Sequence, residues 1–242
     1  MNSPGASASM GRVLLVCNDS ATIQQLAEGM QQFAVGTEVC VEVSMALRLL
    51  NRKKFEAVIV DCGLKQADEM LAQIRLSPSN RTAVTFAIVD PGKPTGFEIQ
   101  PNFLMEKPLS RSSVGRIFKA AFGLIVRERR RSFRCPIAIS AAVHADGQEA
   151  SCHLVNISEG GMAIADVRSL KPGMQVKVLF TLPGHSVRFK IESEVCWCDE
   201  AGRAGLRSLI IPSEQKSILQ QWLAAKLEED LPESVARQFR KD

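Results

Sequence analysis

The spacing of apolar residues changes once along the chain, near Cys135-Pro136, and this change limits the fold more than any other feature. Before it, uninterrupted apolar runs such as 12–16 alternate with stretches of helical spacing, which is typical of a parallel sheet covered by helices on both faces. After it, apolar and polar residues alternate with a period of two, as in antiparallel strands with one buried face. The 242 residues therefore predict two domains of different class.

The first half predicts an α/β doubly wound domain over residues 11–123, after a disordered tail at 1–10. The expected strands are 12–16, 37–43, 57–61, 84–89 and 102–105, and the expected helices are 21–33, 45–52, 67–75 and a longer one that begins near Ser110. Ser20 is a candidate N-cap of the first helix because a serine hydroxyl accepts a hydrogen bond from the first helical turn.

The second half predicts an antiparallel sandwich or small barrel over residues 135–212, because short strands are separated by closely spaced Gly and Pro turn signals. Five residues of one strand are expected to share its inner face: Val187, Phe189, Ile191, Val195 and Trp197. A helix that begins at Ser213 carries an apolar stripe and opens a C-terminal helical segment, 213–242.

Two motifs at the start of the second half contain the candidate ligand-binding residues. Arg130 and Arg134 offer charge, a rigid donor fork for phosphate or guanine, and a flat face for stacking. Asn156 and Ser158 lie two apart on a predicted strand and so point the same way, and Gly161 leaves room for a close approach. The pattern suits an anionic ligand that also presents purine edges.

These motifs resemble the signature of the PilZ family, whose members bind the bacterial second messenger cyclic di-GMP. The family carries R-x-x-x-R before its first barrel strand and [D/N]-x-S-x-x-G at the end of a following strand. The resemblance covers about residues 127–211 and implies a β-barrel. It implies that Arg130 and Arg134 clamp the ligand and that Asn156, Ser158 and Gly161 receive it on the barrel, with further contributions from Arg131, Arg129 and Gly160.

The resemblance also implies a mechanism. Residues 124–134 would form an Arg-rich hinge that is flexible without ligand, and binding would order it. The angle between the two domains would then change, and so would a surface that faces an unidentified protein partner. The resemblance therefore implies a cytoplasmic bacterial effector protein that responds to cyclic di-GMP.

The first half resembles the receiver domain of response regulators, on the strength of Asp61 at the end of the third strand and Lys107-Pro108 after the fifth. Asp61 stands where that family is phosphorylated. The acidic pair that holds magnesium in receivers is replaced by Cys17-Asn18, with Asp19 following. Because a thiol and an amide are poor ligands for a hard cation, we expect a degenerate receiver without magnesium, in which Asp61 and Lys107 form an ion pair. Such a domain would serve docking or dimerisation, so a homodimer stays open.

Several classes of function are disfavoured. No apolar run reaches the roughly 18 residues of a membrane span, and the first ten residues lack the features of a secretory signal. The scattered cysteines indicate free thiols, and Cys196-Trp197-Cys198 lacks a second ligand pair for zinc. No cofactor is expected. The histidines are also scattered, and no nucleophile-base or paired-carboxylate arrangement is visible, so we do not expect an enzyme.

Three alternatives to a cyclic di-GMP effector stay open on the sequence. A scaffold that binds no nucleotide is disfavoured because all five signature residues are present. A phosphorylation-controlled regulator is disfavoured by Cys17-Asn18. A nucleic-acid binder is disfavoured because no reading helix is recognisable and the arginine cluster holds one aromatic residue, Phe133.

Overall fold

The computed structural model describes residues 11–92 and 96–229. The chain divides into two compact units between Arg129 and Arg130, a point within residues 124–134, which the sequence analysis assigns to the connection between the domains. The tail at 1–10 and the end of the C-terminal segment, 230–242, lie outside the described residues. Within the described part, no helix is both long enough and apolar enough to cross a membrane.

The first unit confirms the predicted doubly wound α/β fold. Its elements are β1 (Arg12–Val16), α1 (Ser20–Met30), β2 (Gly36–Cys40), α2 (Val43–Arg52), β3 (Ala57–Asp61), α3 (Ala67–Leu76), β4 (Val84–Val89), β5 (Phe103–Glu106) and α4 (Arg111–Ser132), with a single 3-10 turn after α1. The strands form one parallel sheet in the order β2-β1-β3-β4-β5. This order brings the ends of β1, β3 and β5 together at the carboxyl edge of the sheet.

Burial explains why the strands of the first unit are so apolar. Strand β3 is buried along its whole length, and Phe86 of β4 stacks against Phe118 of α4. One correction concerns the start of α1. Its N-cap is Asp19, whose carboxylate accepts a hydrogen bond from the backbone N–H of Thr22 at 2.9 Å, and the prediction of Ser20 as the cap is wrong. A carboxylate is the stronger acceptor at the positive end of a helix.

The second unit confirms the predicted antiparallel barrel and its C-terminal helix. Its elements are β6 (Cys135–Ala145), β7 (Gln148–Ser158), β8 (Gly161–Ala165), β9 (Gln175–Thr181), β10 (Arg188–Cys198), β11 (Ala204–Ile210) and α5 (Ser213–Glu229). The barrel closes in the order β10-β11-β8-β7-β6-β9. Asp146 and Gly147 both have positive φ, as the tight turn between β6 and β7 requires.

A β-bulge in β10 overturns one prediction about the barrel interior. Phe189, Ile191 and Val195 are buried as expected, but the ladder with β11 shifts by one residue between Val195 and Trp197. The extra residue, Cys196, reverses the alternation, because an odd insertion moves the following side chain to the other face. Trp197 therefore lies outside the barrel, 46 % exposed, and its assignment to the inner face is wrong.

Helix α5 buries one stripe, formed by Leu219, Trp222, Leu223 and Leu227. Two glutamines tie it to the barrel. Gln215 accepts a hydrogen bond from the backbone N–H of Lys190 at 2.9 Å, and Gln220 donates to Glu159 at 3.2 Å. The helix therefore contacts the turn that leads from β7 into β8.

Residues 124–132, which the sequence analysis places in a hinge, form the last turns of α4. Arginine favours helix and no Gly or Pro interrupts this stretch after Gly123, so the helix continues to Ser132. Phe133 and Arg134 are the two residues between α4 and β6.

Candidate functional site

The register of two strands brings the sequence motifs together on the barrel. In the β6–β7 ladder, Cys135 pairs with Ile157 and Pro136 pairs with Asn156. The start of β6 therefore lies beside the end of β7. Because side chains alternate along a strand and paired residues share a face, Arg134, two residues before Pro136, continues the face that carries Asn156. Ile157 is buried, so this face is the outside of the barrel.

The arginines of the first motif sit at the end of a helix and just beyond it. Arg130 belongs to the last turn of α4 and is half-buried, and its carbonyl accepts a hydrogen bond from the N–H of Phe133. Phe133 is buried and anchors the connection, while Arg131 and Arg134 are exposed. Cations are favourable at the carboxyl end of a helix, where carbonyl groups point outward. Arg131 and Arg134 thus present their guanidinium groups to solvent near the barrel surface.

Asn156 has an acceptor atom that the surrounding chain does not use. Its Oδ1 is buried and makes no hydrogen bond within the described residues. A buried carbonyl oxygen without a partner costs roughly 1–3 kcal/mol, so a ligand donor at this position would recover that energy. Among the residues of the second motif, Asn156 is the one that offers such an atom.

Ser158 and Gly161 shape the turn instead of facing outward. The Ser158 hydroxyl is buried and donates a hydrogen bond to the Gly161 carbonyl at 2.9 Å. A Cβ on Gly161 would clash with the carbonyl oxygen of Leu206 in β11, so only glycine lets the two strands approach. Gly160 is different, because a Cβ there meets nothing within 4 Å. Its carbonyl accepts a hydrogen bond from Ser208 at 3.1 Å.

The sequence analysis missed an aromatic surface beside Asn156. Asn156 pairs with Ala163 on β8, Ala163 pairs with Gly205 on β11, and Gly205 pairs with Trp197 on β10. The Trp197 indole lies so close over Gly205 that any Cβ there would clash with the ring. Small residues thus separate Asn156 from an exposed indole on the same outer face. The sequence signal for this surface is a glycine that pairs with a tryptophan on the neighbouring strand. The bulge in β10 concealed that pairing.

The side chain of Arg129 lies close to a buried carboxylate of the first unit. Its guanidinium lies 3.9 Å from the carboxylate of Glu56, which is fully buried in the first unit. The preceding residue, Glu128, is also buried, forms an ion pair with Lys54 and accepts a hydrogen bond from Thr82 at 2.6 Å. These contacts hold the end of α4 to the sheet of the first unit.

The receiver-like residues meet at the carboxyl edge of the parallel sheet. Asp61 is 2 % exposed, and its carboxylate lies 2.9 Å and 3.1 Å from the ammonium group of Lys107. The backbone N–H of Gly63 and the thiol of Cys17 also donate to it, at 2.9 Å and 3.3 Å. The structure therefore forms the expected ion pair between Asp61 and Lys107.

Charge and burial shift the pKa values of the side chains around Asp61. Burial raises the pKa of Cys17 to about 11, and the hydrogen bond to Asp61 adds to the shift, so the thiol stays protonated. Burial lowers the pKa of Lys107, but its hydrogen bond and attraction to Asp61 outweigh that, and the net pKa is raised. Asp19 points to the start of α1, where its hydrogen bonds with Thr22 lower the pKa of the carboxyl. Within residues 11–92 and 96–229, no group of three or more His, Cys, Asp or Glu side chains is arranged to hold a metal ion.

Comparison with known proteins agrees with this division of the chain. Residues 128–225 match the PilZ domain family. A search of curated proteins found no match. Two solved structures are similar to the barrel half. The Bacillus subtilis inhibitor of motility MotI/DgrA is 20% identical with a TM-score of 0.34, over 38% of this chain and 48% of that one, so the match spans about half of that protein. PlzA of Borreliella burgdorferi, solved in complex with c-di-GMP, is 16% identical with a TM-score of 0.32, over 47% of each chain.

A third solved structure is similar to the first half. The receiver domain of a sensor histidine kinase from Pseudomonas aeruginosa is 18% identical with a TM-score of 0.42, over 47% of this chain and 98% of that one. The match to the PilZ family covers the barrel and most of its helix, and the parallel sheet before it has the receiver strand order. Residues 128–225 therefore form a PilZ domain, and the domain before it has a receiver-like fold.

Proposed function

We propose that the chain is a receptor for cyclic di-GMP that binds the ligand on the outer face of the barrel and does not act as an enzyme. The observation that carries the proposal is the strand register that sets Pro136 opposite Asn156 and so puts Arg134 beside an unused buried acceptor. Cyclic di-GMP offers two phosphates and two guanines, and this surface offers guanidinium donors, an amide and an indole.

Each residue has a distinct role in this proposal. Arg134 and Arg130 contact phosphate and the acceptor edge of guanine, where a guanidinium makes paired hydrogen bonds, and Arg131 adds a phosphate contact. The free Oδ1 of Asn156 accepts from the N–H groups of a guanine edge. Ser158 and Gly161 hold the turn in the shape that leaves this edge accessible, and Gly160 leaves space above it. Trp197 provides a stacking face for a second base.

In this proposal, ligand binding at the barrel acts on the first unit through the carboxyl-terminal end of α4. Glu128 and Arg129 hold the helix to the first unit through Lys54, Thr82 and Glu56, and Arg130 is the next residue. A displacement of Arg130 by the ligand would therefore act on the end of α4, which Arg129 holds to the first unit. Binding would change the geometry between the two domains and present an altered surface to a protein partner.

We further infer that the Asp61 cluster has a structural role and is not a phosphorylation site. The residues present do not fit a magnesium ion, because Cys17 supplies a protonated thiol, Lys107 already neutralises Asp61, and Asp19 caps α1. Asp61→Asn should therefore leave cyclic di-GMP affinity unchanged.

The test is calorimetric titration of cyclic di-GMP into the full chain and into Arg134→Ala. We expect micromolar or tighter binding, about −8 kcal/mol or better, weakened at least about tenfold in the variant. Arg127→Ala is the matched control, since Arg127 belongs to the same arginine cluster, is exposed and lies outside the motif. If the folded protein gives no heat of binding, or if both variants lose the same affinity for cyclic di-GMP, the proposal is overturned. The scaffold interpretation is then favoured.

A further inference from the structure

Strand β2 forms one edge of the parallel sheet, and two valines at its carboxyl end are exposed. Val39 is 46 % exposed, and Val41, just after the strand, is 52 % exposed. Folded proteins usually protect an open edge with charge, proline or a very short strand, because unpaired backbone groups recruit another strand. The other edge strand, β5, has four residues and ends in exposed Glu106. Strand β2 has five residues and no proline, and its one charged residue, Glu38, is half-buried and paired with Lys53.

The backbone of β2 has a free hydrogen-bonding side centred on Val39. The Gly36 N–H donates to the Gly11 carbonyl, and the Cys40 carbonyl accepts from the Cys17 N–H, so alternate residues from Gly36 to Cys40 bond inward to β1. The residues between them, Thr37 and Val39, therefore direct their N–H and C=O groups outward. This is the arrangement that a further strand needs.

The apolar surface continues from the edge strand to helix α1. Gly29 of α1 packs against Val114 of α4, so α4 covers that flank of the helix. Ile23 lies about 120° around the helix from Gly29 and is half-buried, and Ala27, four residues later, is exposed. This second flank faces the β2 side, because α4 occupies the β4 side of the same sheet face, where Phe118 stacks on Phe86.

We propose that β2 pairs antiparallel with β2 of a second copy of the chain, about a twofold axis that passes through Val39. In this register Val39 lies opposite the same residue of the second copy, Thr37 lies opposite Val41, and Glu38 lies opposite Cys40. No two like charges meet, whereas a register centred on Glu38 would set two carboxylates opposite each other. Lys53 lies 2.9 Å from Glu38 and neutralises the acidic side chain of this strand.

A second copy is favoured over an unrelated strand because the edge is complementary to itself. A twofold contact requires each residue to fit its own symmetry mate, and valine opposite valine with outward backbone groups fulfils this condition. The two five-residue strands would join two sheets of five strands into one continuous sheet.

The test uses the symmetry of the contact. Sedimentation velocity of the full chain over a range of concentrations should show a reversible dimer, and both Val39→Lys and Val39→Glu should raise its dissociation constant at least about tenfold, because each places like charges opposite each other. An equimolar mixture of the two variants should restore the dimer, since lysine then meets glutamate. Only a contact in which residue 39 lies opposite itself predicts this rescue, which also shows that both variants are folded.

Leu76→Lys is the matched control, because Leu76 is the large apolar residue with the highest exposure among those described, at 71 %, and lies at the end of α3. It should leave the dissociation constant unchanged. A wild-type chain that stays monomeric at the highest concentration overturns the proposal, as does a dimer that neither Val39 variant weakens. Two weakened variants whose mixture stays monomeric overturn the twofold register.

Discussion

Gly161 and Gly160 are neighbours in one turn, but the structure constrains only one of them. A side chain on Gly161 would collide with the Leu206 carbonyl, which is backbone and cannot rotate away, whereas a side chain on Gly160 enters open space. We predict that Gly161→Ala lowers the free energy of unfolding by about 1–3 kcal/mol and that Gly160→Ala changes it by less than about 0.5 kcal/mol. Urea denaturation followed by tryptophan fluorescence measures both values. Equal effects of the two substitutions would contradict this reading of the turn.

The cysteines should differ strongly in reactivity, because the thiolate is the form that is alkylated. Burial raises the pKa of Cys17 and of Cys152 to about 11, so roughly one thiol in a thousand is ionised at pH 8. Cys196 is exposed at the bulge of β10. We predict that brief treatment of the native protein with iodoacetamide labels Cys196 first, as peptide mass spectrometry would show.

The control for this experiment is Cys196→Ser, which should remove the fast-labelled site and leave the others unchanged. Raising the pH increases the thiolate fraction, so labelling of Cys17 should rise with pH toward 11 and stay low near neutrality. Labelling of Cys17 at the rate of Cys196 near neutral pH would show that the first unit opens readily.

Residue types in the sequence identify the candidate site, but not how each side chain is used. Asn156 and Ser158 were both expected to meet the ligand because they lie two apart on one strand. The structure leaves the Asn156 carbonyl without a partner among the described residues and commits the Ser158 hydroxyl to Gly161. That difference depends on the distance across a two-residue turn, which periodicity does not encode.

Strands and helices were predictable where their periodicity is long and uninterrupted. Strands β1, β3 and β4 match their predicted bounds, because apolar runs in a parallel sheet are unambiguous. The orientation of Trp197 was not predictable from the alternation of β10, since one inserted residue reverses it, and the pairing with Gly205 becomes visible only in the structure. The end of α4 was also missed, because arginine suits both a helix and an exposed connection.

The bulge in β10 gives a prediction for the proposed ligand site. Trp197 lies outside the barrel on the row that leads to Asn156, so its indole is available to stack on a base. We predict that Trp197→Ala weakens cyclic di-GMP binding by about 1–3 kcal/mol, while Trp197→Phe retains most of the affinity, because both rings stack. Calorimetric titration measures the two affinities. An alanine variant that binds as tightly as the wild type would remove Trp197 from the site.

The division of the chain into two compact units determines what each optical signal reports. The 2 tryptophans, Trp197 and Trp222, both lie in the second unit, whereas four of the five α-helices in residues 11–92 and 96–229 begin in the first. Tryptophan fluorescence therefore follows unfolding of the barrel, and far-ultraviolet circular dichroism near the helical minimum follows mainly the first unit. The two probes can separate the stability of the units without cutting the chain.

A ligand that binds only the folded barrel must stabilise it by mass action, by about 2.7 kcal/mol at a free concentration one hundred times the dissociation constant. We predict that saturating cyclic di-GMP raises the midpoint of the fluorescence transition and moves the dichroism transition less, because the proposed contacts belong to residues 130–197. Arg134→Ala should reduce the shift in both signals at the same ligand concentration and leave the unliganded midpoints unchanged, since Arg134 is exposed. Equal shifts in the two signals would show instead that the two units unfold as one cooperative block.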